Sequence, residues 1–284
     1  MVQGKRKWGI GPINDFIEQH GLREKFDALT PPKVATVAYR DASFKFYIPD
    51  AMTDKMQLAP LLGWYHERSL LEAFHSAVDS NGTICDLGAN FGSHTVYFAA
   101  IMKARRVHSF EPQAHLIDVM KKTLELNQID NVTLHHAVAG AKLGKAHLKR
   151  THVENSGMAE FRPGAGDLPV DMLPVDDVVG EEHVTGVKID VEGMQMPVLR
   201  GMSKTIRRCT PVLWLELRPA KGEIEQPSEW LAKRGYRRQK INFRDFLFIL
   251  ETPAVMSLRA EMRVAPAGVR QAQPGVATGQ SVLV

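Results

Sequence analysis

The segment ICDLGANFGSHTVYFA, residues 84–99, holds residue types suited to binding a nucleoside-containing ligand. An apolar run contains Asp86, and Gly88 and Gly92 stand four residues apart before a second apolar stretch. Glycines let a strand turn tightly into a helix, and the first N–H groups of that helix can meet an anion. The pattern predicts a ligand-binding turn at the carboxyl edge of a sheet.

The glycine spacing discriminates between two ligand classes. A dinucleotide calls for three glycines in the order G-x-G-x-x-G, but the second and third positions here hold Asn90 and Ser93. S-adenosylmethionine has no phosphate, and an acid such as Asp86 suits its cationic part while the N–H groups of the turn suit its carboxylate. A turn that only packs the helix on the strand is the structural alternative.

Glu111 stands at the end of the second expected strand, in VHSFEP, residues 107–112, and precedes Pro112. A carboxylate at the end of this strand can accept hydrogen bonds from both hydroxyls of a ribose. Because such an acid occurs in several kinds of nucleoside-binding sheet, it supports an adenosine moiety without specifying a reaction.

The run VKIDVEG places Lys188, Asp190 and Glu192 on one face of a strand that ends at Gly193. Acids at a strand's carboxyl end, beside a cofactor turn, are candidates for holding a substrate hydroxyl or taking its proton. A solvated strand end with a Lys/Asp pair is the alternative interpretation.

His94 is a second candidate base, two positions after Gly92 at the start of a helix. The positive end of a helix dipole favours the neutral imidazole, which is the form that can accept a proton. A packing or capping histidine is the alternative. Asn155, in the ENSG run, is a candidate for orienting the substrate.

Alternating strands and helices must position these residues. The last two strands are separated by a tight turn and must therefore be antiparallel to each other. The alternation predicts an α/β fold with a doubly wound, mostly parallel sheet that ends in a C-terminal antiparallel strand pair. The expected strands cover residues 83–87, 106–110, 132–138, 186–191, 211–217, 236–241 and 244–250, and the expected helices cover 66–78, 93–103, 114–127, 196–207 and 227–234.

The chain divides by composition into three parts. Residues 1–33 form an N-terminal arm with a short helix over 13–29, and residues 34–251 form the main domain, beginning with a hairpin. Its polar, glycine-rich excursion over 140–173 also has hairpin character. Residues 252–284 are rich in Ala, Gly, Pro and Gln and are expected to be a mostly disordered tail.

Composition limits the function classes. The 284 residues carry 36 basic and 32 acidic side chains that are mixed along the chain, which favours an ordinary solvated surface over a nucleic-acid or membrane face. Two cysteines without ligand spacing predict neither a disulfide scaffold nor a metal site. No apolar run approaches roughly 18 residues, so we expect no membrane span and a soluble, cytoplasmic protein.

Over about residues 44–250 the chain resembles the FkbM-type family of S-adenosylmethionine-dependent methyltransferases. The resemblance lies in WYHE, DLGANFGSHT, FEP, NVTLHHAVAG, ENSGMAEF and VKIDVEGMQMPVLRGM. It implies a class I methyltransferase fold, Rossmann-like, and O-methylation of a sugar, glycolipid, polyketide or related metabolite. The partner would then be a small-molecule or glycan acceptor rather than nucleic acid.

The resemblance also implies roles for individual residues. This chain departs from the family pattern at one position. The family commonly reads E-G-x-E where this chain has Gln195, whose side chain cannot ionise. The implied cofactor ligands are Asp86, Gly88, Asn90, Gly92 and Glu111, with Ala137 beside the adenine, and the candidate catalytic residues are Asp190, His94 and Glu192.

Three other functions remain open from the sequence. One is an S-adenosylmethionine-binding protein with weak or no catalysis that serves a partner, suggested by Gln195. The others are a nucleic-acid methyltransferase and, last, an NAD-dependent oxidoreductase. No coiled-coil pattern or large apolar stripe indicates an oligomeric state.

Overall fold

A seven-stranded sheet carries the main fold. The computed structural model describes residues 13–152 and 154–251. The described residues up to Leu250 form one compact unit. The strands are β1 (Val34–Tyr39), β2 (Ala42–Tyr47), β3 (Thr83–Leu87), β4 (Arg106–Phe110), β5 (Val132–His135), β6 (Ala137–Ala139), β7 (Gly144–Arg150), β8 (Glu160–Pro163), β9 (Pro169–Leu173), β10 (Val184–Ile189), β11 (Val212–Glu216), β12 (Tyr236–Lys240) and β13 (Asp245–Leu250).

Helices connect these strands, together with short π-helical and 3₁₀ turns. A π-helical turn, Tyr97–Ile101, continues α5, and 3₁₀ turns lie at Lys55–Gln57, Ser156–Met158 and Pro219–Lys221. The α-helices are α1 (Ile13–Gln19), α2 (Leu22–Ala28), α3 (Leu58–Leu61), α4 (Arg68–Ala77), α5 (Ser93–Val96), α6 (Ala114–Leu126), α7 (Val175–Val179), α8 (Gln195–Gly201), α9 (Ser203–Cys209) and α10 (Glu225–Ala232).

The order of the main sheet is β12-β13-β11-β10-β3-β4-β5. Strands β11, β10, β3, β4 and β5 are parallel, whereas β13 is antiparallel to both of its neighbours. The α/β doubly wound prediction, including the antiparallel C-terminal pair, is confirmed. From β3 the chain builds outward to β5 and then returns to β10, so the strand order reverses between β3 and β10. Ligands of open α/β sheets bind outside the carboxyl ends of the strands at such a reversal.

Both faces of the sheet are covered, which explains why its central strands are apolar runs rather than alternating patterns. Every residue of β3 and β10 is buried. Helices α4, α5 and α6 pack on one face with Trp214, and α7 to α10 pack on the other with Leu213 and Leu215. The two cores therefore fix the strand ends rigidly on both sides.

Four expected elements are divided in the structure. The strand expected over 132–138 is split at His136, because β5 pairs with β4 while β6 pairs with β9 in a second sheet of order β6-β9-β7-β8. The helix expected over 196–207 is split at Met202, and the one over 13–29 is split near Gly21, which has φ 58°. The helix expected over 93–103 becomes α5 followed by the π-helical turn. Periodicity alone does not register such local breaks.

The domain boundaries at residues 33 and 251 remain predictions. Residues 1–12 of the expected arm and the expected tail, 252–284, lie outside the described residues. Between residues 13 and 251, leaving out 153, no helix has the length and apolar character needed to cross a membrane.

Gly201 provides a test of the packing of α8 on the chain that follows β6. A Cβ at this helical position would overlap the carbonyl oxygen of Gly140. Gly→Ala in a helix ordinarily stabilises by about 1 kcal/mol, but here we expect Gly201→Ala to lower the free energy of unfolding by roughly 1–3 kcal/mol. Urea titration measures the change.

Gly144→Ala is the matched control. Its Cβ would lie 3.5 Å from the Met172 Cε, an ordinary contact, so we expect a change below about 1 kcal/mol. Equal effects of the two substitutions would contradict the packing argument.

Candidate functional site

The glycine turn after β3 brings bare backbone to the carboxyl edge of the sheet. Gly88 has φ 88°, and a Cβ on it would overlap the Asp190 carbonyl oxygen, so the position requires glycine. Asn90 also has positive φ, 52°, a conformation that Asn tolerates. The Gly88 N–H donates to the Phe110 carbonyl at 3.0 Å. The turn is thereby tied to both β10 and β4.

Glu111 is the acid at the end of β4, and it is 3% exposed. Its Oε2 accepts from the Asn90 N–H at 2.9 Å, and its Oε1 accepts from the Gln113 N–H at 2.9 Å and from the Gln113 Nε2 at 3.1 Å. A carboxylate has about four acceptor positions. A ribose hydroxyl can take the remaining one, and release of the Gln113 amide would open a second.

Burial raises the pKa of Glu111 to about 7, although the N–H donors of Gln113 and Asn90 oppose that rise. Glu111 therefore titrates close to neutral pH. Its ability to accept hydrogen bonds from two hydroxyl groups as a carboxylate depends on pH in that range.

The wall beside Glu111 is apolar and built of small side chains. Ala137 and Ala139 of β6 line it and are each 1% exposed. The neighbouring Phe110 ring stacks on His135 with centroids 4.5 Å apart. Such a wall suits the flat face of an adenine ring, as predicted for the segment around Ala137.

A loop from the second sheet closes over the glycine turn. Ser156 Oγ donates to Asp54 Oδ2 at 2.6 Å and accepts from Asn90 Nδ2 at 2.9 Å. Asn155, the sequence candidate, lines the cavity, but its Oδ1 accepts from the Gly157 N–H at 3.0 Å. Sequence reasoning thus missed Asp54 and Ser156, although Ser156 lies in the ENSG run and Asp54 has the residue type of a turn cap.

The cavity at this edge has a volume of about 410 Å³ and an acidic second half. Asp190 follows β10, Glu216 ends β11 and Asp245 begins β13, and the strand registers set these three carboxyl groups side by side. Glu67, just before α4, lines the same part of the cavity. Sequence reasoning assigned no role to Glu216 or Asp245, because their neighbourhood arises only from strand pairing.

Lys188 sits beneath this acidic half and is 3% exposed. Its Nζ donates to Asp190 Oδ2 at 3.2 Å and to the Gly88 carbonyl at 3.4 Å, and it lies 3.7 Å from Asp86 Oδ1. Burial lowers its pKa, but the carboxylates of Asp190, Asp86 and Glu67 together raise it above the ordinary value. Lys188 is therefore charged and holds Asp190 at the cavity.

Asp190 is the ionised acid of the acidic half. Burial raises its pKa, but the charge of Lys188 together with hydrogen bonds from Glu216 and Lys188 outweighs burial, so the net shift is downward. Glu67 lacks such a close cation. Burial, followed by the charge of Asp190, raises the pKa of Glu67 to about 8.

His94 lines the cavity and is 5% exposed. Its Nε2 lies 3.3 Å from Glu67 Oε2, and its ring is stacked with His66 at 5.9 Å. Burial, then the charge of Lys188, lowers the pKa of His94 well below its ordinary value. The expected neutral imidazole is found, but burial is the main cause rather than the start of a helix whose α-helical part has four residues.

The structure places two predicted cofactor residues behind the cavity lining. Asp86 is fully buried and its Oδ2 accepts from Thr95 Oγ1 at 2.7 Å, so it meets Lys188 rather than an ammonium of the ligand. A Cβ on Gly92 would meet Met120 Cγ at 2.6 Å. Gly92 therefore serves close packing of the turn on α6.

Glu192 lines the cavity but is engaged in an ion pair with Arg218, and both side chains are 12% exposed. Arg218 also binds Glu223, with Nη2 to Oε1 at 2.6 Å. The arrangement argues against Glu192 as the base.

Gln195 is buried and lies outside the cavity lining. Its Nε2 contacts the Glu216 carbonyl at 3.3 Å and Glu223 Oε2 at 3.4 Å. A carboxylate at this position would face Glu223, so the amide suits the packing here. The departure from E-G-x-E removes no acid from the cavity.

Within residues 13–251, omitting 153, no group of His, Cys, Asp and Glu has an arrangement that could hold a metal ion. Cys85 and Cys209 are both free thiols.

The reversed β13 in a seven-stranded sheet, with a nucleoside-type cavity at the switch point, defines a class I methyltransferase fold. The chain matches the family model described as "Methyltransferase FkbM domain" over residues 86–238, more than half of its length. It belongs to the FkbM family of methyltransferases, and its methyl donor is S-adenosylmethionine.

The chain is similar at low sequence identity to several known methyltransferases. "Methyltransferase 1" of Beauveria bassiana (strain ARSEF 2860) is 24% identical over 177 residues, covering 54% of this chain and 71% of the relative. The solved FkbM methyltransferase of Methylobacillus flagellatus KT is 15% identical, with a TM-score of 0.46, and the match covers 87% of this chain but only 63% of that one. An rRNA methylase of Streptococcus thermophilus is also 15% identical, with a TM-score of 0.40 and coverage of 64% and 94%.

Glu111 predicts a pH dependence of donor-site affinity. Only the ionised carboxylate accepts hydrogen bonds from both ribose hydroxyls. The affinity for S-adenosylhomocysteine should therefore rise as the pH increases through about 7. The limiting slope is about tenfold per pH unit. Calorimetric titration at several pH values measures this rise.

Glu111→Gln should remove most of the pH dependence, whereas Glu125→Gln, a change at an exposed acid of α6, should preserve it. The same pKa shift also predicts how Glu111 affects folding stability. Since folding raises this pKa, the stability contributed by protonated Glu111 is present below its ordinary pKa and is lost as the pH rises through about 7. Equal pH profiles for native protein and Glu111→Gln would contradict the assignment.

Gln195 gives a second prediction. Gln195→Glu should lower the free energy of unfolding at neutral pH by about 1–3 kcal/mol, because it buries a second carboxylate against Glu223. The loss should shrink when the solution is acidified. Gln195→Met, which introduces no charge, is the control in urea titrations, and a stable Gln195→Glu protein at neutral pH would refute the packing explanation.

Proposed function

We propose that the protein transfers the methyl group of S-adenosylmethionine to a hydroxyl oxygen of a small, uncharged acceptor, in the class of sugars, glycolipids, polyketides and related metabolites. The observation that carries the proposal is that ionised Asp190 lies in the same cavity as the glycine turn and Glu111. A donor and an acceptor can thus meet beside a carboxylate.

The donor half is assigned to four residues that line the cavity. Gly88 and Asn90 offer the backbone of the turn, Glu111 accepts the ribose hydroxyls and Ala137 faces the adenine. Asp86 acts indirectly through Lys188. When bound, S-adenosylmethionine supplies an electrophilic methyl group on a sulfonium.

Asp190 is the proposed general base of the acceptor half. A carboxylate oxygen of Asp190 would take the proton that the acceptor hydroxyl gives up when its oxygen receives the methyl group. Lys188 keeps this carboxylate ionised and in place. Neutral His94 is the second candidate, since it lines the same cavity.

The charge of the acceptor half supports an uncharged acceptor. Asp190, Glu67, Glu216 and Asp245 line one wall. A phosphate or a nucleic-acid backbone would meet ionised Asp190 at a cost of like-charge repulsion. This argues against the nucleic-acid methyltransferase, and the position of Gln195 outside the lining removes the motive for a protein without catalysis.

The donor half is tested by calorimetric titration with S-adenosylhomocysteine. Native protein should bind at micromolar concentration, and Glu111→Ala should weaken binding by at least roughly tenfold, since buried hydrogen bonds to a charged group contribute about 1.5–3 kcal/mol. Glu125→Ala is the matched control on an exposed acid. Absence of binding to folded native protein would overturn the proposal.

The acceptor half is tested with radiolabelled methyl donor and pooled hydroxylated acceptors. Asp190→Asn should reduce transfer by about 10²–10⁴-fold, while affinity for S-adenosylhomocysteine changes little, because Asp190 lies outside the donor half. Donor binding by native protein without transfer to any acceptor would instead support the binding protein that serves a partner.

A further inference from the structure

Asp190 and Glu216 form a pair of hydrogen-bonded carboxyl groups in the acceptor half of the cavity. Parallel pairing of β10 with β11 brings the two residues together at adjacent strand ends. Two carboxyl groups can form a hydrogen bond only if one of them carries a proton. The contact itself therefore implies a shared proton.

The surrounding charges decide which acid carries that proton. Asp190 contacts buried Lys188 at 3.2 Å and also faces His66. Glu216 faces the carboxyl groups of Asp245 and Glu67.

Arg244 is the cation that contacts Glu216, with Nη1 to Oε1 at 3.0 Å. The Arg244 side chain is 47% exposed, so water weakens its influence. The buried cation thus stabilises charge on Asp190, and the proton resides on Glu216.

The titration behaviour agrees with this geometry. The charge of Asp190, followed by burial, raises the pKa of Glu216 to about 9. The pKa of Asp190 is lowered by Lys188 in spite of burial. Near neutral pH the pair carries a single negative charge.

We propose that Glu216 is a positioning residue of the acceptor site, which as a neutral acid donates a hydrogen bond to Asp190 and holds that carboxylate toward the acceptor. The catalytic consequence rests on the proposed function. The protonated state of Glu216 does not rest on that function, because it follows from the contacts of Glu216 with its neighbours in the protein.

The test is infrared spectroscopy of the full chain without ligand, across a pH range from about 6 to about 11. The difference spectrum between native protein and Glu216→Gln should show a protonated carboxylic-acid band at neutral pH, and this band should vanish as the pH rises through about 9. Glu125→Gln, which alters an exposed acid, should leave the band in place.

Asp190→Asn provides the decisive arm. Removing the neighbouring negative charge should shift the Glu216 band to a midpoint at least one pH unit lower, which a merely structural role of Glu216 would not produce. Identical acid bands in native protein and Glu216→Gln, or an unchanged midpoint in Asp190→Asn, would overturn the proposal. If circular dichroism shows that Glu216→Gln is unfolded, the Asp190→Asn midpoint alone decides.

This readout requires neither donor nor acceptor, so its failure is distinguishable from failure of the methyltransferase proposal. Once an acceptor is found, transfer by native protein should decline above about pH 9. Glu216→Ala should lower kcat, and Glu216→Gln should restore part of it and remove the decline, because the amide retains a donor that cannot ionise.

Discussion

The pairing of the buried Lys188 ammonium with its acidic neighbours is the interaction on which the rest of the site depends. It joins Asp86 of β3, Asp190 after β10 and the carbonyl of Gly88 in the turn. A buried charge is tolerated only when it is paired, and removing one partner leaves the others uncompensated. Lys188 thus couples the sheet's switch point, the glycine turn and the candidate base in one network.

Burial raises the pKa of other acids in the cavity, whereas Lys188 lowers that of Asp190. Without a close buried cation, Glu67 and Glu111 have pKa values raised to about 8 and about 7. Near neutral pH these acids therefore carry less negative charge than their number suggests. A cationic ligand would favour the ionised forms, so occupancy of the site and its protonation are linked.

The two halves of the cavity impose different demands on similar residues. Glu111 is surrounded by N–H donors and apolar walls, which suits recognition of hydroxyls on a nucleoside. Asp190 has a cation on one side and a carboxyl neighbour on the other, which keeps Asp190 ionised beside the acceptor half. Glu192, of the same chemical type and only two residues from Asp190, is taken by Arg218 instead. Residue type alone did not separate these roles.

The sequence by itself determined the alternation of strands and helices, the glycine turn and the strand-end acids Glu111 and Asp190, because these depend on local periodicity and on residues close along the chain. It also identified the family, which the match over residues 86–238 confirms. It could not show that Asp86 lies behind the lining or that Gln195 packs against Glu223, since both depend on which side chains meet in three dimensions.

Only the tertiary structure placed Glu216 and Asp245 beside Asp190, and Asp54 beside Ser156. Strand pairing and loop closure bring together residues that are distant in sequence, and no local pattern encodes that neighbourhood. Burial and charge pairing, which set each acid's protonation, arise only once the fold is complete.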